Sequence, residues 1–277
     1  MGGKVMNNLV LELNEKAREI RKDVVNLVYS AKVGHVGGSL SSADIVTTLY
    51  YSVMNVNPKD PKNEDRDRFI MSKGHAAELL YCVLADKGYF SKEKLESYSK
   101  FGSTLIGHPN NKNAGVEINT GALGHGLSAS VGMALGAKRD EKDYRVFTLL
   151  GDGELAEGSV WEAAMAAAHY KLDNLTAIID RNGLQISGST EDVMALNSLE
   201  DKWRSFGWNV IVLNGHDIEA LLKAFSKDSI QKDKPTMIIA NTVKGKGVSY
   251  MENVAKWHHG VPTEEEYKIA MKELNSL

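Results

Sequence analysis

A carboxylate set between glycines, Gly151-Asp152-Gly153, follows the apolar run 146–150, and an amide, Asn182, follows a second apolar run at 175–179. Asp152 and Asn182 stand thirty residues apart, about the length of one strand-helix-strand unit. That spacing predicts two neighbouring parallel strands whose carboxyl ends present a carboxylate and an amide oxygen side by side, at the edge where open α/β sheets bind ligands. Hard oxygen donors of this kind suit magnesium, with Ca2+ or Mn2+ as alternatives, and magnesium usually keeps phosphate oxygens in its shell. The flanking glycines let backbone approach phosphates without a side chain in the way. Together these residues point to a diphosphate held through a divalent cation.

The elements that must position them are legible in the periodicity. Leu9, Leu13, Ile20, Val24, Leu27 and Val28 recur at helical spacing and predict a helix over 8–29. A Gly-rich loop is expected over 33–40, then a helix capped by Ser41-Ser42. Residues 68–71 read as a strand ending at Ser72-Lys73-Gly74-His75, followed by a helix to about Asp86 and another from Ser91. The aperiodic stretch 101–126 is long for a connection and reads as a functional loop; small residues over 127–138 predict a closely packed helix. Strand, helix and strand follow at 145–150, 160–170 and 175–180, then helix 197–206, strand 209–213, helix 218–226 and strand 236–241. A polar, His-bearing loop spans 248–261, and Thr263-Glu264-Glu265-Glu266 opens the last helix. Strands alternating with helices predict an α/β fold of three layers, α/β/α, around a mainly parallel sheet, with residues 1–277 as a single domain.

Bulk properties narrow the function. Apolar content of 43% and charged content of 25% are ordinary for a globular chain. A formal net charge of −3 with no long Lys/Arg block argues against nucleic acid as a partner. No apolar stretch reaches membrane-spanning length, and the N-terminus lacks a signal peptide's continuous apolar core. Met6 stands where a lipidation signal beginning Met1-Gly2-Gly3 needs Ser or Thr. The expected compartment is the cytoplasm, with no membrane association. Cys82 is the only cysteine and sits in an apolar helical stretch, so it is expected as a small buried hydrophobe.

Other segments carry a family likeness. Gly34-His35-Val36-Gly37-Gly38-Ser39-Leu40, Ser72-Lys73-Gly74-His75-Ala76, Gly107-His108-Pro109 and Thr120-Gly121-Ala122-Leu123-Gly124 precede the Gly151-Asp152-Gly153 segment with its Glu157-Gly158 and Trp161-Glu162-Ala163. Asp180-Arg181-Asn182 and His259-Gly260-Val261-Pro262 follow it. In this order the chain resembles a transketolase, specifically the half that grips the diphosphate of thiamine diphosphate, and the likeness covers almost the whole sequence. The resemblance implies that Asp152 and Asn182 ligate the metal through side chains and Leu184 through its carbonyl. It implies that Gly151 and Gly153 lie at the diphosphate, with the Gly153 N–H donating to it, and that Gly121 and Leu123 pack on the thiazolium ring. His35, His75 and His259 would surround the diphosphate and reactive carbon, His108 would meet the donor sugar, and Glu157 would tie the metal site to a subunit interface. Ketol transfer moves protons on and off alkoxides, which suits imidazoles titrating near neutrality.

In this family the glutamate and aromatic pocket that serve the cofactor's pyrimidine belong to a following domain. The resemblance therefore implies an N-terminal subunit that works with a separate C-terminal chain, two copies of each, on sugar phosphates of the pentose phosphate type. A subunit of a 2-oxoacid dehydrogenase, a deoxyxylulose-phosphate synthase relative and a non-catalytic cofactor-binding scaffold are the rivals. The segments at Gly34 and Gly107 favour ketol transfer on a polyhydroxylated donor, and the complete set of metal ligands and histidines disfavours a scaffold. His169, His216 and Trp161 read as surface or packing residues, and His125 as a polar contact in place of a family Gln. The His-Gly-x-Pro register favours His259 over His258. Lys244 and Lys246 are consistent either with phosphate contact or with a solvated turn.

Overall fold

Leu13, Ala17, Ile20, Val24 and Val28, three or four residues apart, are all buried along one face of the long first helix, α1 (Gly3–Ala31), in the computed structural model. The structure describes residues 3–276, so Met1 and Gly2 of the lipidation reading lie outside the described residues. Two short helices follow, α2 (Val36–Ser41) and α3 (Ala43–Thr48), then strand β1 (Arg68–Met71) and helix α4 (Ala77–Lys87). After the irregular stretch come α5 (His125–Arg139), β2 (Val146–Gly151), α6 (Gly158–His169) and β3 (Leu175–Arg181). A two-residue-per-strand hairpin, β4 (Leu184–Gln185) and β5 (Gly188–Ser189), leads to α7 (Thr190–Met194) and α8 (Leu199–Ser205). The chain ends with β6 (Asn209–Asn214), α9 (Ile218–Ala224), β7 (Thr236–Asn241) and α10 (Glu264–Ser276).

The main sheet has the order β1-β2-β3-β7-β6, and every pairing in it is parallel. Successive side chains go to opposite faces, so the apolar runs feed two cores. Phe147, Leu149, Ile178 and Ile238 pack with α1, α3 and α4, while Val146, Leu150, Ile179 and Ile239 pack with α5, α6 and α8. β2 is buried along its whole length and β3 along all but its last residue, which explains their uninterrupted hydrophobicity; the edge strand β6 alternates instead. Strand order advances from β1 to β3, skips to β6 and then turns back to β7. The reversal puts α9 on the face opposite α8, as right-handed crossovers require.

Local chemistry accounts for the ends of these elements. Thr263 Oγ1 accepts the Glu266 N–H while the Glu266 carboxylate accepts the Thr263 N–H, a reciprocal capping box at α10. Gly88 ends α4 in the left-handed conformation. Three expectations are corrected. Residues 36–41 form α2 rather than a loop, and all six are buried. Ser41 and Ser42 do not cap a helix; their hydroxyls donate to the buried Asp180. Ser91 begins a 3-10 turn, Lys92–Ser97, without a side-chain cap. The β4–β5 hairpin and α7 have no counterpart in the sequence pattern, because two-residue strands leave no periodicity to read.

Gly126, in the first turn of α5, lies against Ser72: a Cβ there would stand 2.5 Å from Ser72 Cβ and 2.8 Å from its Cα. Gly132, farther along the same helix, faces open space. Gly126→Ala is therefore expected to lower the thermal midpoint by several degrees. Gly132→Ala should stabilise by about 0.5–1 kcal/mol through helix propensity. Equal effects of the two substitutions in a melting experiment would contradict the close approach of α5 to the end of β1.

Candidate active site

The carboxyl ends of β2, β3 and β7 converge where the strand order reverses, and a cavity of about 380 Å3 opens above them. Because Gly151 is in register with Asp180, the loops after β2 and β3 leave the sheet side by side. Asp152, 1% exposed, accepts the Gly153 N–H on Oδ1 at 2.8 Å and the Gly183 N–H on Oδ2 at 2.6 Å, with Arg181 at 3.3 Å. Burial first, and then the charge of Asp180, push its carboxyl above the ordinary range despite those donors. Asn182 donates its Nδ2 to Asp180, which leaves its Oδ1 as the acceptor on the other side; that oxygen takes the Leu184 N–H at 3.1 Å. The Leu184 carbonyl accepts from Lys244 Nζ at 3.0 Å. Asp152, Asn182 and Leu184 all line the cavity.

These donors fit a divalent cation bound with a diphosphate. Among the described residues no group of three or more His, Cys, Asp or Glu side chains is arranged to hold a metal. One carboxylate, one amide and one carbonyl leave most of an octahedral shell to ligand oxygens and water, the usual situation for magnesium beside phosphate. A buried carboxylate whose proton affinity is raised by desolvation is also one that a cation would stabilise. Gly153 lines the cavity, and its N–H donates to Asp152 Oδ1.

Two buried ammonium groups face the same space. Lys73, 1% exposed, pairs with Asp180 and donates to the Gly38 carbonyl at 2.8 Å and Ser42 Oγ at 2.9 Å. Asp180 is wholly buried and also receives hydroxyls from Ser41 and Thr242. Burial alone would raise its pKa, but the Lys73 charge and hydrogen bond, with these hydroxyls, hold it at about 2. Lys244, 2% exposed, is pushed down to about 8 by burial and by Lys73. Lys246, by contrast, is 40% exposed at a turn. A cavity holding two desolvated cations favours an anionic ligand.

The histidines ring the opposite wall. His35 lies 5.4 Å from His75 and 6.2 Å from His108 between ring centroids. Its Nδ1 is buried and has no hydrogen-bond partner among the described residues, so a bound group is needed to satisfy it. Of the adjacent pair, His258 lines the cavity, 4.9 Å from His75 and with Nδ1 3.1 Å from Lys244 Nζ. His259 is exposed and packs edge-on against His35 at 4.7 Å, so both members of the pair stand beside the histidine cluster. His258 closes the 3-10 turn Ala255–His258, and His259 follows it in extended conformation. Burial holds His35 at about 4, helped by His259, His108 and Lys244, and holds His258 at about 3, helped by Lys244. His75 is driven down by burial and Lys73, and His108 by burial. These imidazoles are thus neutral at physiological pH rather than poised at it.

Gly121 and Leu123 line the cavity from the irregular segment. At Gly121, whose φ is +133°, a Cβ would stand 2.7 Å from the His108 ring, so only glycine leaves that ring its place. Glu157 is exposed at the start of α6, outside the cavity wall. His125 bonds only the Leu123 carbonyl among the described residues, and His169 meets Tyr170 edge-on at the surface. Cys82 is buried, as expected.

Two buried carboxylates carry no clear mark in the sequence. Glu154, 1% exposed, accepts the Ser72 hydroxyl and the Gly124 and Gly151 N–H groups, tying together three loops of the site. Glu78, wholly buried, accepts the His35 N–H at 2.8 Å, the Tyr98 hydroxyl at 2.8 Å and the Ser39 hydroxyl at 3.1 Å. For Glu154 the available signal is its place directly after the Gly-Asp-Gly; nothing in the spacing of Glu78 distinguishes it from an ordinary helix carboxylate.

Residues 13–275 match the family described as transketolase, thiamine diphosphate binding domain. The chain is 53% identical over 263 residues to an apulose-4-phosphate transketolase subunit of Phocaeicola vulgatus, covering 95% of this chain and 94% of that one. It is 41% identical to the 6-deoxy-6-sulfo-D-fructose transketolase subunit SqwG of a Clostridium species, covering 97% and 98%. Among solved structures, the transketolase of Campylobacter jejuni superposes with a TM-score of 0.90 at 36% identity, over 95% of this chain and 42% of that chain.

Removing one member of a buried ion pair leaves the other charge uncompensated, at a cost of about 3–5 kcal/mol. Lys73→Met is expected to lower the unfolding free energy from denaturant titration by that order, whereas a loss under about 1 kcal/mol would show that the hydroxyls alone hold Asp180. Because Asp180 is depressed to about 2 from the ordinary aspartate value of 3.8, its contribution is complete at neutral pH and is lost as pH falls through about 2. A stability profile that is flat between pH 4 and pH 2 would contradict this.

Proposed function

The chain belongs to the transketolase family through its thiamine diphosphate binding domain, and on that premise we propose that it is the N-terminal subunit of a two-chain transketolase, transferring a ketol unit between sugar phosphates. The observation that carries the proposal is the meeting of hard oxygen donors, two buried ammonium groups and neutral histidines in one cavity at the carboxyl edge of the sheet. When bound, thiamine diphosphate supplies the electron sink for breaking a carbon–carbon bond beside a ketone. Asp152, Asn182 and the Leu184 carbonyl would hold Mg2+, while Lys244, which has no carboxylate partner of its own among the described residues, would meet the diphosphate by charge. Gly121 and Leu123 would form the wall against the ring of the cofactor.

Neutral imidazoles can take a proton from a hydroxyl and return it. His35, with its unsatisfied Nδ1, would do so together with His75, His258 and His259, which gather around it. His108 would face the donor sugar; its carbonyl accepts the Tyr81 hydroxyl at 2.6 Å, which fixes its loop. Burial is the main cause that depresses these histidines, and the diphosphate would offset the smaller share that Lys73 and Lys244 add at His35, His75 and His258.

The partner we infer is a separate chain with the pyrimidine-binding domain, two copies of each forming a heterotetramer, with residues 1–277 as one diphosphate-binding domain. Ile186 on the cavity-lining hairpin is 74% exposed, and Phe101 is fully exposed, apolar surface that a second chain would cover. Glu157 at the start of α6 would face that interface. No helix among the described residues is long and apolar enough to cross a membrane, and a cytoplasmic setting is in keeping with this. The names of the Phocaeicola and Clostridium relatives make apulose 4-phosphate the first donor to test, with sulfofructose and pentulose phosphates as further arms.

The complex of this chain with its partner should transfer ketol units from one of these donors with thiamine diphosphate and Mg2+, and this chain alone should be inactive. Asp152→Asn should lower kcat/KM by at least about 100-fold and abolish metal-dependent cofactor binding measured by calorimetry. Turnover by this chain alone would refute the two-chain arrangement, and unaltered cofactor binding by the variant would refute the metal site.

A further inference from the structure

We propose that His216 is a positioning residue that sets the Lys244 ammonium in the cavity, acting through the backbone of Val243. The proposal rests on the reading of that cavity as the thiamine diphosphate site. His216 lies in the turn after β6 and looks in sequence like an ordinary turn residue, but its side chain is only 13% exposed and both ring nitrogens are committed.

The Nδ1 side meets Asp44 Oδ2 at 2.7 Å. Asp44, 4% exposed on α3, is gripped by both guanidinium nitrogens of the buried Arg21, at 2.9 and 2.6 Å. Burial would raise the Asp44 carboxyl, but Arg21 and His216 hold it at about 2, so it is an acceptor and Nδ1 must carry the hydrogen. The Nε2 side accepts the Val243 N–H at 2.9 Å, which requires a bare lone pair there. The two neighbours thus select one neutral tautomer.

Val243 is where the chain leaves the sheet after β7. Its N–H lies beyond the last strand pairing, and His216 is the acceptor that satisfies it. The next residue carries the ammonium that contacts the Leu184 carbonyl and His258 Nδ1. A relay of Arg21, Asp44, His216 and Val243 therefore runs from α1, across α3, to a cation in the site. A clamp that serves stability alone would act equally whatever stands at 244; a positioning device must act through Lys244.

The test is a double-mutant cycle on the two-chain complex, with parent, His216→Phe, Lys244→Met and the double variant titrated with thiamine diphosphate at saturating Mg2+. We expect His216→Phe to weaken cofactor Kd about 10-fold, the loss of roughly one buried hydrogen bond, while kcat at saturating cofactor stays within about 3-fold. In the Lys244→Met background the same substitution should change Kd by less than about 2-fold. A Kd unchanged in the single variant, or losses that multiply in the double variant, would overturn the proposal while a binding parent leaves the cofactor reading intact. A parent complex that binds no cofactor would overturn that reading and this one with it. Should His216→Phe fail to fold, long-range 15N–1H spectra of the histidine-labelled parent chain at pH 8 decide: Nδ1 protonated with bare Nε2 supports the relay, and the opposite tautomer overturns it.

Discussion

A carboxylate sealed from water must be surrounded by donors, and Asp180 draws those donors from four separate segments beside the cavity. Lys73 comes from the end of β1, Ser41 and Ser42 from the α2–α3 junction, Thr242 from the end of β7, and Asn182 from its own loop. Satisfying one buried charge thereby brings four loops to the same point. The requirement is strict because an unpaired charge at that depth would cost several kcal/mol. Bonding the Asn182 Nδ2 to Asp180 also leaves the Asn182 oxygen as the acceptor, so the structural core of the site and its metal-facing oxygen share one network.

The same network shapes the electrostatics. The chain as a whole is slightly acidic, yet the cavity concentrates two ammonium groups among histidines that are kept neutral. Lys73 is compensated by Asp180, whereas Lys244 meets a carbonyl and an imidazole, neither of which carries a negative charge. The uncompensated cation is the one an anionic ligand would satisfy. Neutral, crowded imidazoles beside it, held down chiefly by burial, are suited to accept protons from sugar hydroxyls.

The layered fold was legible because β2, β3 and β7 are buried on both faces and their apolar runs admit few other readings; strand 68–71 and strand 236–241 lie where periodicity placed them. Asp152 and Asn182 were legible from spacing, since a strand-helix-strand unit has a characteristic length. What sequence could not convey was the direction of polar side chains. That His258 as well as His259 stands beside His35 is set by the folded chain over 255–259, and the value of His216 depends on Asp44 and Val243, distant in the chain but adjacent in space. Glu78 escaped for the same reason: a carboxylate that looks solvated on a helix is buried behind His35 because His35, Ser39 and Tyr98, from two other segments, supply its donors.

The central claim is that Asp152, Asn182 and the Leu184 carbonyl hold a divalent cation together with a diphosphate. Anomalous scattering from a crystal of the two-chain complex grown with Mn2+ and thiamine diphosphate tests it directly. The expected result is a single strong peak about 2.0–2.4 Å from all three oxygens, with diphosphate oxygens completing the shell. A peak elsewhere, or cofactor bound with Lys244 still alone on the Leu184 carbonyl, would contradict the account.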